Sequence, residues 1–168
     1  TEIWREVVAR RQRYHEIRQQ IEKGEVREIN DLVTYNLDIR QFAQDMVTAI
    51  EAPELLRAFF KALGAIKVLD PTVGSGAFLF AALNILESLY EACLERMQGF
   101  LDELDASGEK HRPEKLKDFR EILGRVAQHP NQRYFILKSI IVHNLYGVDI
   151  MEEAVEICKL RLFLRLIA

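Results

Sequence analysis

The chain has 168 residues and a net charge of −3, and 49% of its residues are hydrophobic and 29% charged. This length and composition are typical of one globular domain and exclude a disordered chain. The negative net charge also argues against a chain that binds nucleic acid over its whole surface, and two cysteines are too few for a disulfide framework.

The N-terminus, Thr-Glu-Ile-Trp-Arg-Glu, is charged from the start and does not resemble a signal peptide. The most apolar window, 160–168, is interrupted by Arg161 and Arg165. No apolar run therefore approaches the roughly 20 residues that a membrane-spanning helix needs. Because the chain also lacks an initiator Met, we expect a piece of a longer protein. The two cysteines, Cys93 and Cys158, lie far apart in the sequence and suit a reducing cytoplasm, and we expect no membrane partner.

Apolar residues at helical spacing predict three helices in the first part of the chain, over 3–21, 39–49 and 53–63. We expect Gly24 to end the first helix and Gly64 to end the third, since glycine commonly follows the last helical turn. Pro53 is typical of the first turn of a helix.

Two short runs of branched residues, 65–69 and 145–150, predict buried strands. The remaining helices are predicted over 77–98, 114–127, 131–143 and 151–168. Each strand thus precedes a helix, which indicates an α/β fold. Because two strands alone do not form a stable sheet, and because the last helix is apolar around most of its circumference, we expect the first part of a larger sheet.

Charges are unevenly distributed in the second half of the chain. Residues 84–107 carry six acids and one base, whereas residues 109–138 carry eight bases and four acids. The eight bases are Lys110, Arg112, Lys115, Lys117, Arg120, Arg125, Arg133 and Lys138. Two interpretations remain open: solvated helix faces of opposite sign, or a phosphate-facing patch in the second segment.

The sharpest local signal is the loop Asp70-Pro71-Thr72-Val73-Gly74-Ser75-Gly76, which joins the first strand to a helix. Its glycines let the backbone turn and approach a ligand closely, and the amides at the helix start face that ligand. No Gly-Lys-Ser/Thr follows, and Leu79 stands where a dinucleotide motif has its third glycine. The carboxylate of Asp70 disfavours a diphosphate and favours a cationic ligand such as S-adenosylmethionine. A plain strand–helix turn is the alternative.

The second strand also ends in an acid, Asp149. Its two oxygens can accept hydrogen bonds from two ribose hydroxyls, and the neighbouring Ile150 can pack against a purine ring. Alternatively, Asp149 caps the last helix, and the two roles are compatible.

These two segments resemble motifs I and II of N6-adenine DNA methyltransferases. Asp70-Pro71-x-x-Gly-Ser-Gly-x-Phe is similar to motif I. Residues 145–150, followed by 154–162, are similar to motif II. The resemblance extends from Thr34 to the C-terminus, and it favours the long-chain restriction–modification branch, in which methylase and endonuclease share one polypeptide.

The resemblance implies that the chain carries the first part of a Rossmann-like class I methyltransferase sheet. Residues 1–33 would be a helical lead-in, and 34–168 the N-terminal part of the S-adenosylmethionine-binding domain, with a helical insertion at about 100–143. The full protein would transfer a methyl group to the amino nitrogen of adenine in DNA. The basic half of the insertion would reach the DNA backbone.

The resemblance also implies roles for individual residues. The residues that would hold the methionine part of the cofactor are Asp70, Pro71, Thr72 and the backbone of Gly74, Ser75 and Gly76. Phe78 would form a wall of this loop, Asp149 would bind the ribose, and Ile150 would contact the adenine.

The chain departs from the family pattern at two places. The segment 34–37, Thr-Tyr-Asn-Leu, lacks the proline that often accompanies a cofactor contact there. The catalytic motif, Asn or Asp followed by Pro-Pro and an aromatic residue, is absent because no two prolines are adjacent. We therefore expect no catalytic residue in this chain and no methyl transfer by it alone.

Other classes of function remain open at this point. One is an RNA or protein methyltransferase with a similar cofactor site, and another is a non-catalytic nucleotide-binding or interaction module. The four histidines lack the spacing of metal ligands, so no metal site is expected. The sequence does not define the DNA target, the presence of a nuclease or the oligomeric state.

Overall fold

The computed structural model describes residues 4–26, 39–106 and 115–168. These residues are mostly helical, with two short strands. In chain order the elements are α1 (Trp4–Glu22), α2 (Ile39–Thr48), α3 (Pro53–Ala65), β1 (Val68–Asp70), α4 (Ala77–Ala106), α5 (Lys117–Ala127), α6 (Gln132–His143), β2 (Leu145–Gly147) and α7 (Glu152–Ile167).

The chain divides into two compact units, residues 1–45 and 46–168, with the division inside α2. The domain boundary predicted between residues 33 and 34 lies outside the described residues. In the first unit, Arg10 Nη1 and Asp45 Oδ2 form an ion pair at 2.7 Å. Gly24 follows α1 with a φ of +71°, which confirms the predicted end of this helix.

The second unit is built around α4, which packs against α3, α5, α6 and both strands. Its buried face includes Leu83, Leu86, Cys93, Leu94, Met97, Phe100, Leu101 and Leu104. The helix was predicted to end at residue 98 but continues to Ala106. The reason is that its buried apolar positions continue past Gly99, so packing outweighs the weak helix propensity of that glycine.

By length and composition alone, α4 is the one helix in the described part of the chain that could cross a membrane. This finding corrects the expectation that no apolar run approaches that length. The most apolar stretch of α4 is 44% buried inside the chain. A helix at the centre of a protein core can be just as long and apolar as one that crosses a membrane.

The two strands are parallel neighbours, with Val68 opposite Leu145 and Asp70 opposite Gly147. The prediction of two strands, each followed by a helix, is confirmed. Both strands are shorter than predicted. The first begins at Val68 rather than at residue 65, because α3 continues to Ala65.

Gly64 was expected to end α3, and this was wrong. Asn144, fully buried just before β2, explains the helix end. Its Nδ2 donates to the carbonyls of Leu63 (2.9 Å) and Ile66 (2.8 Å), and its Oδ1 accepts from the hydroxyl of Tyr90 at 3.2 Å. The last turn of α3 is therefore fixed by a residue 78 to 81 positions away.

One face of the sheet is open. Leu69 and Tyr146 are paired in register, and both are exposed, as is Val148 two positions further along the chain. Helix α7 also exposes apolar side chains, as expected for the last helix: Ile157, Leu160, Phe163, Leu164 and Ile167. The other predicted helices differ from the observed ones by three residues or fewer at an end.

Candidate functional site

The β1–α4 loop extends the strand pairing beyond the sheet. Val148 N–H donates to the carbonyl of Asp70 at 2.9 Å, and Val73 N–H donates to the carbonyl of Val148, also at 2.9 Å. Gly76 N–H then donates to the carbonyl of Val73 at 2.7 Å, which closes a tight turn before α4. The loop is thus held by backbone bonds to the segment that follows β2.

Two glycines give this loop its shape. Gly74 has a φ of +49° and Gly76 a φ of +85°, values that residues with a Cβ rarely adopt. An ideal Cβ at Gly76 would lie 2.6 Å from Cys158 Sγ, whereas one at Gly74 would meet nothing closer than 3.9 Å. The positive φ favours glycine at both positions. Only at Gly76 would a side chain also collide with a neighbouring residue.

Asp70 ends β1 with a buried carboxyl group, 8% exposed. Its Oδ1 accepts from the amide of Thr72 at 3.1 Å, an Asx turn that starts the loop. Among the described residues, none donates a hydrogen bond to Oδ2. That oxygen is the one available to a cationic donor on a ligand.

The start of α4 supplies free donors beside this acid. The described residues provide no acceptor for the amide N–H groups of Ser75, Ala77 and Phe78. Such amides carry the positive end of the helix dipole. The loop therefore presents an acid and a set of backbone donors within a few residues of each other.

The carboxylate of Asp149 joins the two strand–helix junctions. Its Oδ2 accepts from the amide of Gly74 at 2.8 Å, and its Oδ1 accepts from the amide of Met151 at 3.0 Å. These two amides, Met151 first and Gly74 second, lower the pKa of Asp149 below its ordinary value because they stabilise the charged form.

The geometry corrects one of the two sequence interpretations of Asp149 and leaves the other open. The N-cap residue of α7 is Met151, which makes no side-chain cap. Asp149 accepts from the amide of Met151 itself, before the first helical residue, so the interpretation of Asp149 as the helix cap is wrong. A carboxylate has about four lone-pair sites, and the two backbone bonds use two of them. The remaining two leave room for the hydroxyls of a ligand.

The other predicted site residues are accessible. Ile150 is fully exposed and Phe78 is 58% exposed, while Pro71, Thr72 and Ser75 are exposed as well. The structure brings the segments 70–78 and 149–150 together at the carboxyl end of the sheet. The segment 34–37 lies outside the described residues.

Sequence reasoning did not assign two residues of α7 to this site. The Cys158 side chain is buried against Gly76, and burial raises the pKa of its thiol. Arg161 Nη1 donates to the carbonyl of Ser75 at 2.6 Å. One signal was available: the two residues are three positions apart, on one face of the helix that follows the second strand.

An ion pair between Glu87 and Arg133 joins the acidic and basic segments, which neither interpretation anticipated, and Arg165 of α7 binds the same carboxylate. Glu87 of α4 is buried and accepts from Arg133 at 3.0 Å and from Arg165 at 3.1 Å. Lys110 and Arg112 lie outside the described residues. In the part of the chain that is described, no group of three His, Cys, Asp or Glu side chains could hold a metal ion.

A cavity of about 520 Å³ lies away from the two loops, between the start of α6 and the end of α7. Asn131, Arg133, Tyr134 and Leu166 are among its lining residues. It contains none of the site residues that the sequence predicts.

Comparison with known proteins places this arrangement in a family. The family model described as "MmeI, DNA-methyltransferase domain" matches residues 13–166, almost the whole chain. The chain belongs to this family. Its family is that of the restriction–modification methyltransferases, as the resemblance of the two motifs predicted.

A relative from Methanocaldococcus jannaschii, named "Putative type II restriction enzyme and methyltransferase", is 34% identical over 139 residues. The match covers 83% of this chain but only 9% of the relative's length. No solved structure matches the chain.

Proposed function

We propose that this chain binds S-adenosylmethionine through the β1–α4 and β2–α7 loops, as the cofactor-binding part of an adenine-specific DNA methyltransferase. The observation that carries the proposal is the pair of acids, Asp70 and Asp149, at the carboxyl ends of two adjacent parallel strands. Ligands of open α/β sheets bind at that edge.

Charge supports a cationic cofactor at the first loop. Asp70 offers an oxygen to the ammonium of the methionine part, and the amides of Ser75, Ala77 and Phe78 offer donors to its carboxylate. A diphosphate would meet the negative charge of Asp70 at this position. The donor and acceptor set therefore fits an amino acid moiety better than a phosphate chain.

The second loop fits an adenosine. The oxygens of Asp149 retain capacity for two ribose hydroxyls, and the fully exposed side chain of Ile150 offers an apolar surface to the adenine. The two loops are fixed to each other by the bond between Asp149 and Gly74. A ligand that bridges them would contact both motifs at once.

A larger, Rossmann-like sheet is part of the proposal. The exposed face formed by Leu69 and Tyr146 supports it, because an apolar sheet face is normally covered by helices in an α/β fold. Residues 34–168 would form the N-terminal part of that domain, and about 100–143 its helical insertion.

Methyl transfer to DNA is proposed for the whole protein. The chain spans about a tenth of the length of the relative it matches, and its sequence has no Pro-Pro catalytic motif. We therefore expect DNA as the partner, adenine N6 as the acceptor, no transfer by this chain alone, a cytoplasmic location and no membrane partner. Exposed bases between 115 and 138 would approach the DNA backbone.

Isothermal titration calorimetry of this chain tests cofactor binding. We expect binding of S-adenosylmethionine and of S-adenosylhomocysteine, which keeps the amino acid and adenosine parts. ATP is the control, since it shares only the adenosine. Equal affinity for ATP would support a general nucleotide-binding module, and no binding of S-adenosylmethionine by the folded chain would contradict the proposal.

Asp149→Ala tests the ribose contact. Loss of charge-assisted hydrogen bonds should weaken S-adenosylmethionine binding by about ten- to a hundredfold. Asp105→Ala removes the same charge from an exposed position at the end of α4 and should leave the affinity unchanged. A thermal melt of each variant without ligand separates lost affinity from the loss of the Asp149 bonds to the amides of Gly74 and Met151.

The acceptor is tested on the whole protein. Duplex DNA is incubated with S-adenosylmethionine carrying a radiolabelled methyl group, and the digested nucleosides are separated. We expect label in N6-methyladenine, whereas label in a methylated cytosine would overturn the adenine assignment. The same assay with this chain alone should give no labelled DNA.

A further inference from the structure

The segment from β2 through α7 contacts three successive residues of the β1–α4 loop. Asp149 accepts from the amide of Gly74, Arg161 donates to the carbonyl of Ser75, and Cys158 fills the space beside Gly76. Two of these contacts are explained by the cofactor motifs or by packing. The contact of Arg161 is explained by neither.

Arg161 is held at two points. Its Nη1 lies 2.6 Å from the carbonyl oxygen of Ser75, and its guanidinium lies 4.8 Å from the ring centroid of Phe80, in the first turns of α4. The ring and the carbonyl together define the plane of the guanidinium. Among the described residues, no carboxylate forms an ion pair with Arg161, so its charge faces the Ser75 carbonyl and the Phe80 ring.

The carbonyl that Arg161 binds belongs to the peptide unit that precedes Gly76. The Ser75–Gly76 peptide has its N–H bonded to the carbonyl of Val73 and its C=O bonded to Arg161. Because Gly76 tolerates both signs of φ, this peptide plane could rotate if its carbonyl were released. Rotation would break the bond from Gly76 N–H to the Val73 carbonyl that closes the turn, and the amides of Ser75 and Ala77 on either side would lose their fixed positions.

We propose that Arg161 is a positioning residue that locks the Ser75–Gly76 peptide, so that the amides at the start of α4 face the ligand. The inference rests on the proposed function, since the ligand is S-adenosylmethionine. Arg161 acts through the loop and does not itself touch the cofactor. The helix of motif II thus controls the geometry of motif I.

The test uses Arg161→Met, which keeps the aliphatic stem of the side chain and removes the donor and the charge. Lys159→Met is the matched control, because Lys159 lies on the same helix, is exposed and pairs only locally with Glu156. Arg161→Lys is the conservative variant, which can donate to the carbonyl but cannot stack a planar group on Phe80.

Two readouts are measured on this chain. Amide hydrogen exchange by NMR reports the order of residues 74–77 without ligand, and calorimetry reports affinity for S-adenosylmethionine. Arg161→Met should speed exchange at 74–77 and weaken binding by about three- to tenfold, as expected for the loss of one hydrogen bond. Arg161→Lys should recover part of both effects, and Lys159→Met should change neither.

The outcomes separate this inference from the proposed function. If the unaltered chain binds no S-adenosylmethionine, the proposed function fails, and so does a role of Arg161 in binding it. The inference alone is overturned if Arg161→Met matches Lys159→Met in exchange and affinity. It is also overturned if exchange rises throughout α4 and α7, or if loop exchange rises while affinity stays unchanged.

Discussion

The two strand–helix junctions of this domain have the same plan and different roles. Each has a short parallel strand that ends near an acid and leads into a helix. At the first junction the acid, Asp70, is buried and the loop depends on two glycines with positive φ. At the second junction the acid, Asp149, is partly exposed, and the following helix supplies side chains to the first loop.

The difference shows that the first loop is not an independent motif. Gly74, Ser75 and Gly76 are each contacted by a residue from the second junction. The two glycines allow the first loop to adopt positive φ values, and the contacts from the second junction hold the loop in that conformation. Substitutions at the two junctions should therefore have unequal effects on stability.

The largest effect is expected for Gly76→Ala. The new Cβ would lie 2.6 Å from Cys158 Sγ, and the residue would keep a φ of +85°. Overpacking and left-handed strain together should lower the free energy of unfolding by about 2–5 kcal/mol. Urea denaturation followed by circular dichroism measures the change.

A second substitution, Cys158→Ala, separates overpacking from backbone strain as causes of the destabilisation by Gly76→Ala. It removes the sulfur atom that the new Cβ would meet, so Gly76→Ala should be less destabilising in the Cys158→Ala background than in the original chain. The φ strain should remain. Strict additivity of the two single changes would contradict the contact between Gly76 and Cys158.

Gly147→Ala should have the next largest effect. An ideal Cβ there would lie 2.7 Å from Val73 Cγ2 and 3.2 Å from Leu79 Cδ1, but its φ is not positive. Overpacking alone should lower the free energy of unfolding by about 1–3 kcal/mol. Gly124→Ala in α5 is the control, since a Cβ there meets nothing within 4 Å and should raise stability slightly.

Gly74→Ala should have a smaller effect on stability. Its Cβ would meet nothing closer than 3.9 Å, so only the φ of +49° opposes alanine, by about 1 kcal/mol. The same denaturation experiment checks this value. A loss as large as that of Gly76→Ala would show that the second junction does not impose the difference between the two glycines.

The smallest expected effect is on the pH dependence of stability, through the carboxylate of Asp149. Its pKa is lower in the folded chain than in the unfolded chain because the amides of Met151 and Gly74 bond to its carboxylate. This contribution to stability is present above about pH 4 and is lost as the pH falls through the lowered pKa. Asp149→Asn should therefore show a shallower loss of stability in acid than the original chain.

The pKa of Asp118 is also lowered, chiefly by its hydrogen bond to Arg57, and this pair is distant in sequence from both junctions. Asp118→Asn should flatten the acid profile as well, without changing hydrogen exchange in the 74–77 loop. An acid profile of Asp149→Asn identical to that of the original chain would remove the stabilising role of the Asp149 carboxylate.

Local patterns predicted the parts of the site that lie close together in the sequence. The strand, acid, glycine pair and helix start between residues 68 and 78 follow from residue type and spacing. The second acid, Asp149, follows from the same logic. Their meeting at one sheet edge was implied by two parallel strands.

Contacts over long sequence distances were not predictable in the same way. Asn144 ends α3 by bonding to carbonyls about 80 residues away, which local glycine patterns could not indicate. Cys158 and Arg161 reach the first loop only because the strands pair in this register. The length of α4 was underestimated because Gly99 has weak helix propensity while the packing on both sides of it continues.

The central claim is that both junctions bind one ligand, and NMR titration of the ¹⁵N-labelled chain with S-adenosylmethionine tests it most directly. The account predicts that the amides of Ser75, Ala77 and Ile150 shift together, with a single dissociation constant. Shifts confined to the cavity lined by Asn131 and Arg133, or different constants for the two loops, would contradict it.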